Sequence, residues 1–462
     1  MKVILLLLGC AVFLMCRVQA AEGEAKVPRL GERVVERLLP NGLKVIMLPN
    51  PKAPVISFQV WYRVGERNEE LGKTGLSHLL EHMMFKGTAK VGPEQFARII
   101  QEHGGNNNAF TSADFTAYFE NMAAGEIDIA LELEADRMAN LLLRKEDFDT
   151  ERMVVVEERR LRTTDNPQAR LTEELDAAAY MAHPYGWPVV GWLNDIQKLT
   201  LEDLRAYHDT YYRVNNAFLV IVGDFAPDAM LAKVERHFGK IKPGAEPPKM
   251  RAVEPPQQGE RALTLEIPAR LHTLVWGYHA PNITQPDGYG LEVLQAVLTA
   301  GESSRLNIGL VRKELAVEAS ADYSLLSKDP SLFYVQAQAM PGKDPAQVAE
   351  AMEREVARLQ EQPLGAEELL KAKNQLEASF IRGQDSTFYQ GMILAMYENT
   401  VEWRKVDDYL PGIRKVTPEQ VQAAAKKYLT PENRTKAHLV PVRPPAGAPV
   451  PAPPPPAGKV IS

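Results

Sequence analysis

Gly75-Leu76-Ser77-His78-Leu79-Leu80-Glu81-His82-Met83-Met84 is the stretch from which the rest of the chain is read. In a helix, positions i, i+3 and i+4 share a face. His78, Glu81 and His82 therefore fall on one side, and Leu79, Leu80 and Met83 fall mostly on others. Two imidazoles one turn apart can hold a single divalent cation, and zinc suits nitrogen donors. Glu81 shares their face, where it can take a proton from a water activated by the ion rather than serve as a ligand. An ordinary amphipathic helix with two satisfied histidines has the same five-residue pattern. A third ligand would separate the two readings.

Three helices further on, Lys145–Arg162 contains Glu151-Arg152-Met153-Val154-Val155-Val156-Glu157-Glu158. Glu151 and Glu158 are seven apart and so lie on nearly one helix face. One of these carboxylates is the candidate third ligand, although acidic helix positions are ordinarily just a solvated face.

Between these helices, Gly104-Gly105-Asn106-Asn107-Asn108-Ala109-Phe110-Thr111 precedes an alternating run, Ser112–Met122. A Gly/Asn cluster before a strand reads first as a loop. The functional alternative is an edge strand whose free N–H and C=O groups pair with a substrate peptide. Upstream, Arg33–Leu38 and Leu43–Leu48 flank Pro40-Asn41-Gly42, a hairpin signal, and Val55–Tyr62 reads as a further strand. Pro93–Glu102 and Ile127–Leu143 read as helices. His183, in the turn-rich His183-Pro184-Tyr185-Gly186-Trp187-Pro188, reads as structural.

The chain repeats itself. Thr200, Glu202, Ala206, Tyr211 and Asn216 recur as Thr417, Glu419, Ala423, Tyr428 and Asn433, all at an offset of 217. In both copies Thr and Glu open a helix that leads into a strand, which points to a duplicated α/β unit. Gly290-Leu291-Glu292-Val293-Leu294-Gln295-Ala296-Val297 falls where Gly75–His82 falls in the first copy. Val293 stands at the place of His78, Ala296 at that of Glu81 and Val297 at that of His82. The second copy keeps the helix and loses every metal group, so the polar face of the first is there for chemistry.

The chain has 462 residues, enough for two or more domains. Hydrophobic residues make up 45% and charged residues 24%, a soluble globular profile. The net charge of −7 excludes the basic surface that nucleic-acid binding needs. Residues 1–20 read as a secretory signal, with Lys2 ahead of the apolar run Val3–Met15 and Val18-Gln19-Ala20 as the cleavage site. An uncleaved anchor is the alternative, though the run is short for a span. Both cysteines, Cys10 and Cys16, lie inside this segment, so the remainder has no disulfide, thiolate ligand or cysteine nucleophile. The expected division is a signal at 1–20, a metal-bearing domain at 30–240, a Pro-rich linker at 241–260, a degenerate second domain at 261–442 and a disordered Pro-rich tail at 443–462. The destination is export, with the periplasm as the compartment. No stretch after the signal is apolar enough to span a membrane.

His78-x-x-Glu81-His82, the reverse of H-E-x-x-H, followed by Glu158 seventy-six residues after His82, resembles the pitrilysin and mitochondrial processing peptidase family of inverted-motif zinc peptidases. Glu151-Arg152 and Asn108-Ala109-Phe110-Thr111 fit as well, and the likeness spans about residues 30–442. The resemblance implies an α+β fold of two homologous halves, each a mostly antiparallel sheet with helices packed on it, closed like a clamshell. It implies one zinc ion per chain on His78, His82 and Glu158, not Glu157. Glu81 would be the general base, Glu151 a carboxylate steadying the site, and Asn108, Ala109 and Phe110 the strand holding an extended or unfolded peptide. Active members carry an Arg and a Tyr seven residues apart in the inactive half. Here Arg312 fits the Arg, but Ala319 stands at the Tyr position and Tyr323 is eleven residues on. This chain resembles the zinc-bearing half of a two-chain enzyme whose homologous partner supplies Arg and Tyr. A self-sufficient homodimer and a non-catalytic assembly or binding subunit are the alternatives.

Overall fold

The computed structural model describes residues 29–442. Residues 1–20, read from sequence as a secretory signal, and the Pro-rich stretch 443–462 both lie outside the described residues. Two sheets organise the chain. The strands of the first are β1 (Val35–Leu38), β2 (Lys44–Pro49), β3 (Val55–Tyr62), β4 (Asn106–Thr111), β5 (Thr116–Ala123) and β6 (Ala217–Gly223). Those of the second are β7 (Arg261–Pro268), β8 (Thr273–Ala280), β9 (Ala316–Asp322), β10 (Ser331–Ala339) and β11 (Arg434–Val442).

The strand orders are β1-β2-β6-β3-β5-β4 and β7-β11-β8-β10-β9. In the first sheet β2 and β6 run parallel and the other pairs antiparallel. In the second β7 and β11 run parallel and the rest antiparallel. Apart from β1, the two sheets share one plan, which is the duplication seen at the level of topology. The Asn41-Gly42 turn forms its hairpin, with Val35 opposite Met47. Residues 241–260 carry no helix or strand. One linker side chain is nonetheless fixed: Glu254 accepts the backbone N–H groups of Met181, Ala182 and His183.

The loop reading of the Gly/Asn cluster is overturned, because Asn106–Thr111 is a strand. Three consecutive asparagines are poor strand formers, but β4 lies at the sheet edge. Its pairing with β5, Asn108 opposite Phe119 and Thr111 opposite Thr116, overrides that preference. The helix expected to reach Arg162 ends at Arg159 and continues as a five-residue π turn, Arg160–Thr164.

The halves also exchange helices. The helix Pro167–Ala179 belongs to the first copy by sequence, yet Leu171, Leu175 and Ala179 pack with Val275, Leu332, Ala437 and Leu439 of the second sheet. Its counterpart, Thr387–Thr400, packs against β3 and β6 of the first sheet. Both faces of the first sheet are therefore covered. Val45, Met47, Val60 and Leu219 join the core that also takes in Leu79 and Leu80 of the motif helix on one side. Ile46, Leu48, Trp61 and Val220 join Leu394 and Ala395 on the other. This is why β6 reads AFLVIVG, apolar at almost every position rather than alternating. Gly391 permits the close approach of the exchanged helix, since a Cβ there would lie 2.4 Å from Gln59 Nε2.

Polar contacts pin the exchange. Glu398 on the exchanged helix takes Lys44 Nζ at 2.7 Å and Arg63 Nη2 at 2.6 Å. Arg67 pairs with Asp114 and Asp329, and Asp329 also meets His183 Nε2 at 3.2 Å. His183 is thus engaged between the halves, away from the motif helix.

Candidate metal centre

The motif helix runs Leu76–Met83 and starts from Gly75, whose φ of 91° lies in the left-handed region that glycine tolerates. The Glu69 carboxylate receives the N–H groups of Gly75 and Ser77, each at 2.7 Å. It therefore anchors the helix start, where backbone N–H groups lack partners. Burial pushes Glu69 up to about 8 despite these bonds. Leu76, Leu79, Leu80 and Met83 are buried in the first half's core. That leaves His78, Glu81 and His82 facing a cleft of about 770 Å³.

The helix Lys145–Arg159 crosses that face and brings Glu158 to the histidines. His78 Nε2 lies 3.7 Å from Glu158 Oε1, and His82 Nε2 lies 3.3 Å from Glu158 Oε2. One donor atom from each of the three falls within 4.8 Å of the others. Tetrahedral zinc with bonds of about 2.0–2.2 Å needs donors roughly 3.3–3.5 Å apart. Two imidazole nitrogens and a carboxylate gathered close to that spacing are a donor set that suits zinc.

The surroundings fit as well. His82 Nδ1 is 3.1 Å from Glu151 Oε2, and Lys86 Nζ is 2.6 Å from Glu151 Oε1. A ligating histidine usually donates its second nitrogen to a carboxylate in this manner. His78 Nδ1 is buried without a partner, so Nε2 is the nitrogen turned toward Glu158.

Charge follows from these contacts. Burial opposes ionisation of His82, but hydrogen bonds to Glu151 and Glu158 and the nearby Glu81 carry it up to about 9. The bond from His82 draws Glu158 down to about 2. Burial and the neighbouring His82 lower His78 to about 4. A divalent cation would supply the positive charge that these carboxylates otherwise draw onto His82.

Glu81 stands beside this group. Thr111 Oγ1, at the end of β4, donates to Glu81 Oε2 at 2.6 Å and fixes its orientation. Burial raises Glu81 above the usual carboxylate range, with the Thr111 bond pulling the other way. A carboxylate tuned upward is suited to accept and return a proton near neutral pH.

Asn108, Ala109 and Phe110 of β4 line the same cleft. The Ala109 N–H donates to Asn108 Oδ1 at 2.9 Å. Arg312 lies elsewhere: it is exposed, follows the turn Asn307–Val311 and pairs with Glu302 at 3.4 Å. It is not among the cleft-lining residues, so its sequence position alone does not bring it to the metal group.

Sequence reasoning missed Thr111, Lys86, Arg162 and Glu69. Lys86 and Arg162 were accessible through helical spacing. Lys86 is four residues after His82, and Arg162 is four after Glu158, which it meets at 2.6 Å. Glu69 and Thr111 had no such signal, because each acts on the motif helix from another element.

With this geometry in hand, the comparisons are specific. Residues 44–191 match the family model "Insulinase (Peptidase family M16)", and residues 198–376 match "Peptidase M16 inactive domain". The zinc protease PqqE of Helicobacter pylori is 33% identical over 411 residues, covering 87% of this chain and 92% of that protein. The uncharacterized zinc protease ML0855 of Mycobacterium leprae is 30% identical over 418 residues, covering 89% and 93%. A crystal structure of a protease from Helicobacter pylori superposes with a TM-score of 0.85 at 32% identity, covering 88% of this chain and 99% of that one. With the duplicated fold, the His-His-Glu group and relatives of this length named as zinc proteases, the chain belongs to peptidase family M16.

Proposed function

We propose that the protein is a zinc endopeptidase that hydrolyses extended or unfolded peptides. The observation that carries this reading is the meeting of His78, His82 and Glu158 at ligand spacing, with Glu81 held beside them by the edge strand. His78, His82 and Glu158 would hold one zinc ion per chain. Bound there, zinc would polarise the scissile carbonyl and acidify the attacking water. Glu81 takes the proton from that water and returns it to the leaving amine. Thr111 keeps the Glu81 carboxylate aimed into the cleft. Glu151, itself held by Lys86, sets the His82 ring. The peptide lies along β4, where Asn108, Ala109 and Phe110 offer an open strand edge.

The chain acts as the catalytic subunit beside a homologous partner. Ala319 in place of a tyrosine supports this, as does the Tyr323 hydroxyl, which is already donated to Pro281 O. Arg312, exposed and lightly paired, is the residue of the second half offered to substrate. Residues 1–20 support export to the periplasm. Among the described residues no helix is long and apolar enough to cross a membrane.

The test is Glu81→Gln, measured on an internally quenched unstructured peptide with the partner present. Hydrolysis is expected to fall at least about 100-fold, the usual weight of a general base, while zinc content stays unchanged. Hydrolysis that survives the substitution would remove Glu81 from the mechanism.

A further inference from the structure

The second half contains a pocket that shares no lining residue with the metal cleft. Its volume is about 470 Å³, within the range of small-molecule sites. It opens between the helices Gly288–Thr299, Ala366–Gly383 and Thr387–Thr400. Its walls are aromatic: Tyr323, Phe380, Tyr389, Tyr397 and Tyr409, with the Phe380 and Tyr409 rings 4.9 Å apart. The Tyr323 hydroxyl is donated to Pro281 O, so its contribution to the pocket is its ring.

One carboxyl group enters this aromatic enclosure. Glu292 sits on the degenerate counterpart of the motif helix, where the first copy has Ser77, one residue before the position aligned with His78. Its partner is a single neutral donor, the Tyr409 hydroxyl at 3.1 Å. No lysine, arginine or histidine is among the lining residues. Burial pushes Glu292 up to about 7, which measures how poorly the site solvates its charge.

A carboxylate without a counter-ion in a largely apolar pocket is costly unless it takes up a proton or, above its pKa, a cation joins it. Aromatic ring faces attract cations as well. Both features call for the same ligand chemistry, and about 470 Å³ has ample room for a small apolar body beside the charged head.

We propose that this pocket binds a small organic ammonium ion, with its charged head on Glu292 and its apolar body against Phe380, Tyr389 and Tyr409. The site is separate from the peptidase reading and does not depend on it.

The test is isothermal titration of the full chain with phenethylamine and with its neutral analogue 2-phenylethanol at pH 8, as purified and after chelation. Phenethylamine is expected to bind at least about tenfold tighter than the alcohol, the scale of a desolvated cation on an aromatic face. The preference should be equal in both preparations. Glu292→Gln keeps the side-chain shape and should erase the preference. Ser379→Phe, at an exposed rim position, should block both ligands without touching Glu292. Equal affinity for amine and alcohol, a preference that persists in Glu292→Gln, or binding that disappears on chelation would each overturn the assignment.

Discussion

Glu398→Ala probes the helix exchange directly. Glu398 lies on a helix of the second copy, yet its partners, Lys44 on β2 and Arg63 just after β3, belong to the first half. Its side chain is 3% exposed, whereas those of Lys44 and Arg63 are 29% and 26% exposed. Removing one member of a fully buried pair costs about 3–5 kcal/mol, because the remaining charge is stranded. Here water reaches both cations, and Arg63 keeps its bond to the Glu398 carbonyl and its place 4.5 Å from the Phe218 ring centre. The cost should therefore fall to about 2–3 kcal/mol. Equilibrium urea unfolding followed by tryptophan fluorescence measures it. The wild type should unfold in one transition, since each sheet is covered by a helix from the other copy. The variant should shift that midpoint by the stated amount without splitting it. A change below about 0.5 kcal/mol, the size of an ordinary surface substitution, would refute the claim that this contact secures the exchange.

Two further outcomes follow from contacts outside the metal group. Thr111→Val removes the 2.6 Å bond to Glu81 while keeping the side-chain shape; kcat should fall about tenfold with zinc content unchanged, and an unaltered kcat would show that Glu81 needs no such positioning. Asp176, on the exchanged helix, is pushed up to about 7 mainly by burial, with the Tyr334 hydroxyl at 2.7 Å acting against it. The folded state therefore holds this proton more tightly than the unfolded chain, where the group titrates near about 4. The stabilisation it gives is full below about pH 4 and is lost as pH rises through about 7. Asp176→Asn cannot ionise, so its urea midpoint relative to wild type should rise between pH 5 and pH 8; the same difference at both values would contradict the assignment.

Much of the site was legible because its chemistry is local. His78, Glu81 and His82 lie within one helical turn and a half, and Glu151 and Glu158 share a face by spacing alone. The duplication was legible because Thr200 and Thr417 open their helices with the same capping box. What escaped was long-range. The periodicity of Pro167–Ala179 announces an apolar face but not which sheet it covers. The clue was in β6, whose unbroken apolar run required cover on both faces. β4 was legible only as the alternative to a loop, because an edge strand with one neighbour has little need of apolar residues. Thr111 and Glu69 escaped because what they position lies on another element.

The central claim is that His78, His82 and Glu158 hold zinc. Elemental analysis of the dialysed chain, residues 21–462, beside its Glu158→Gln variant tests it most directly. The account predicts one zinc per wild-type chain and a marked loss in the variant, with both proteins equally folded by circular dichroism. A wild type that retains no zinc, or a variant that retains it fully, would contradict the account.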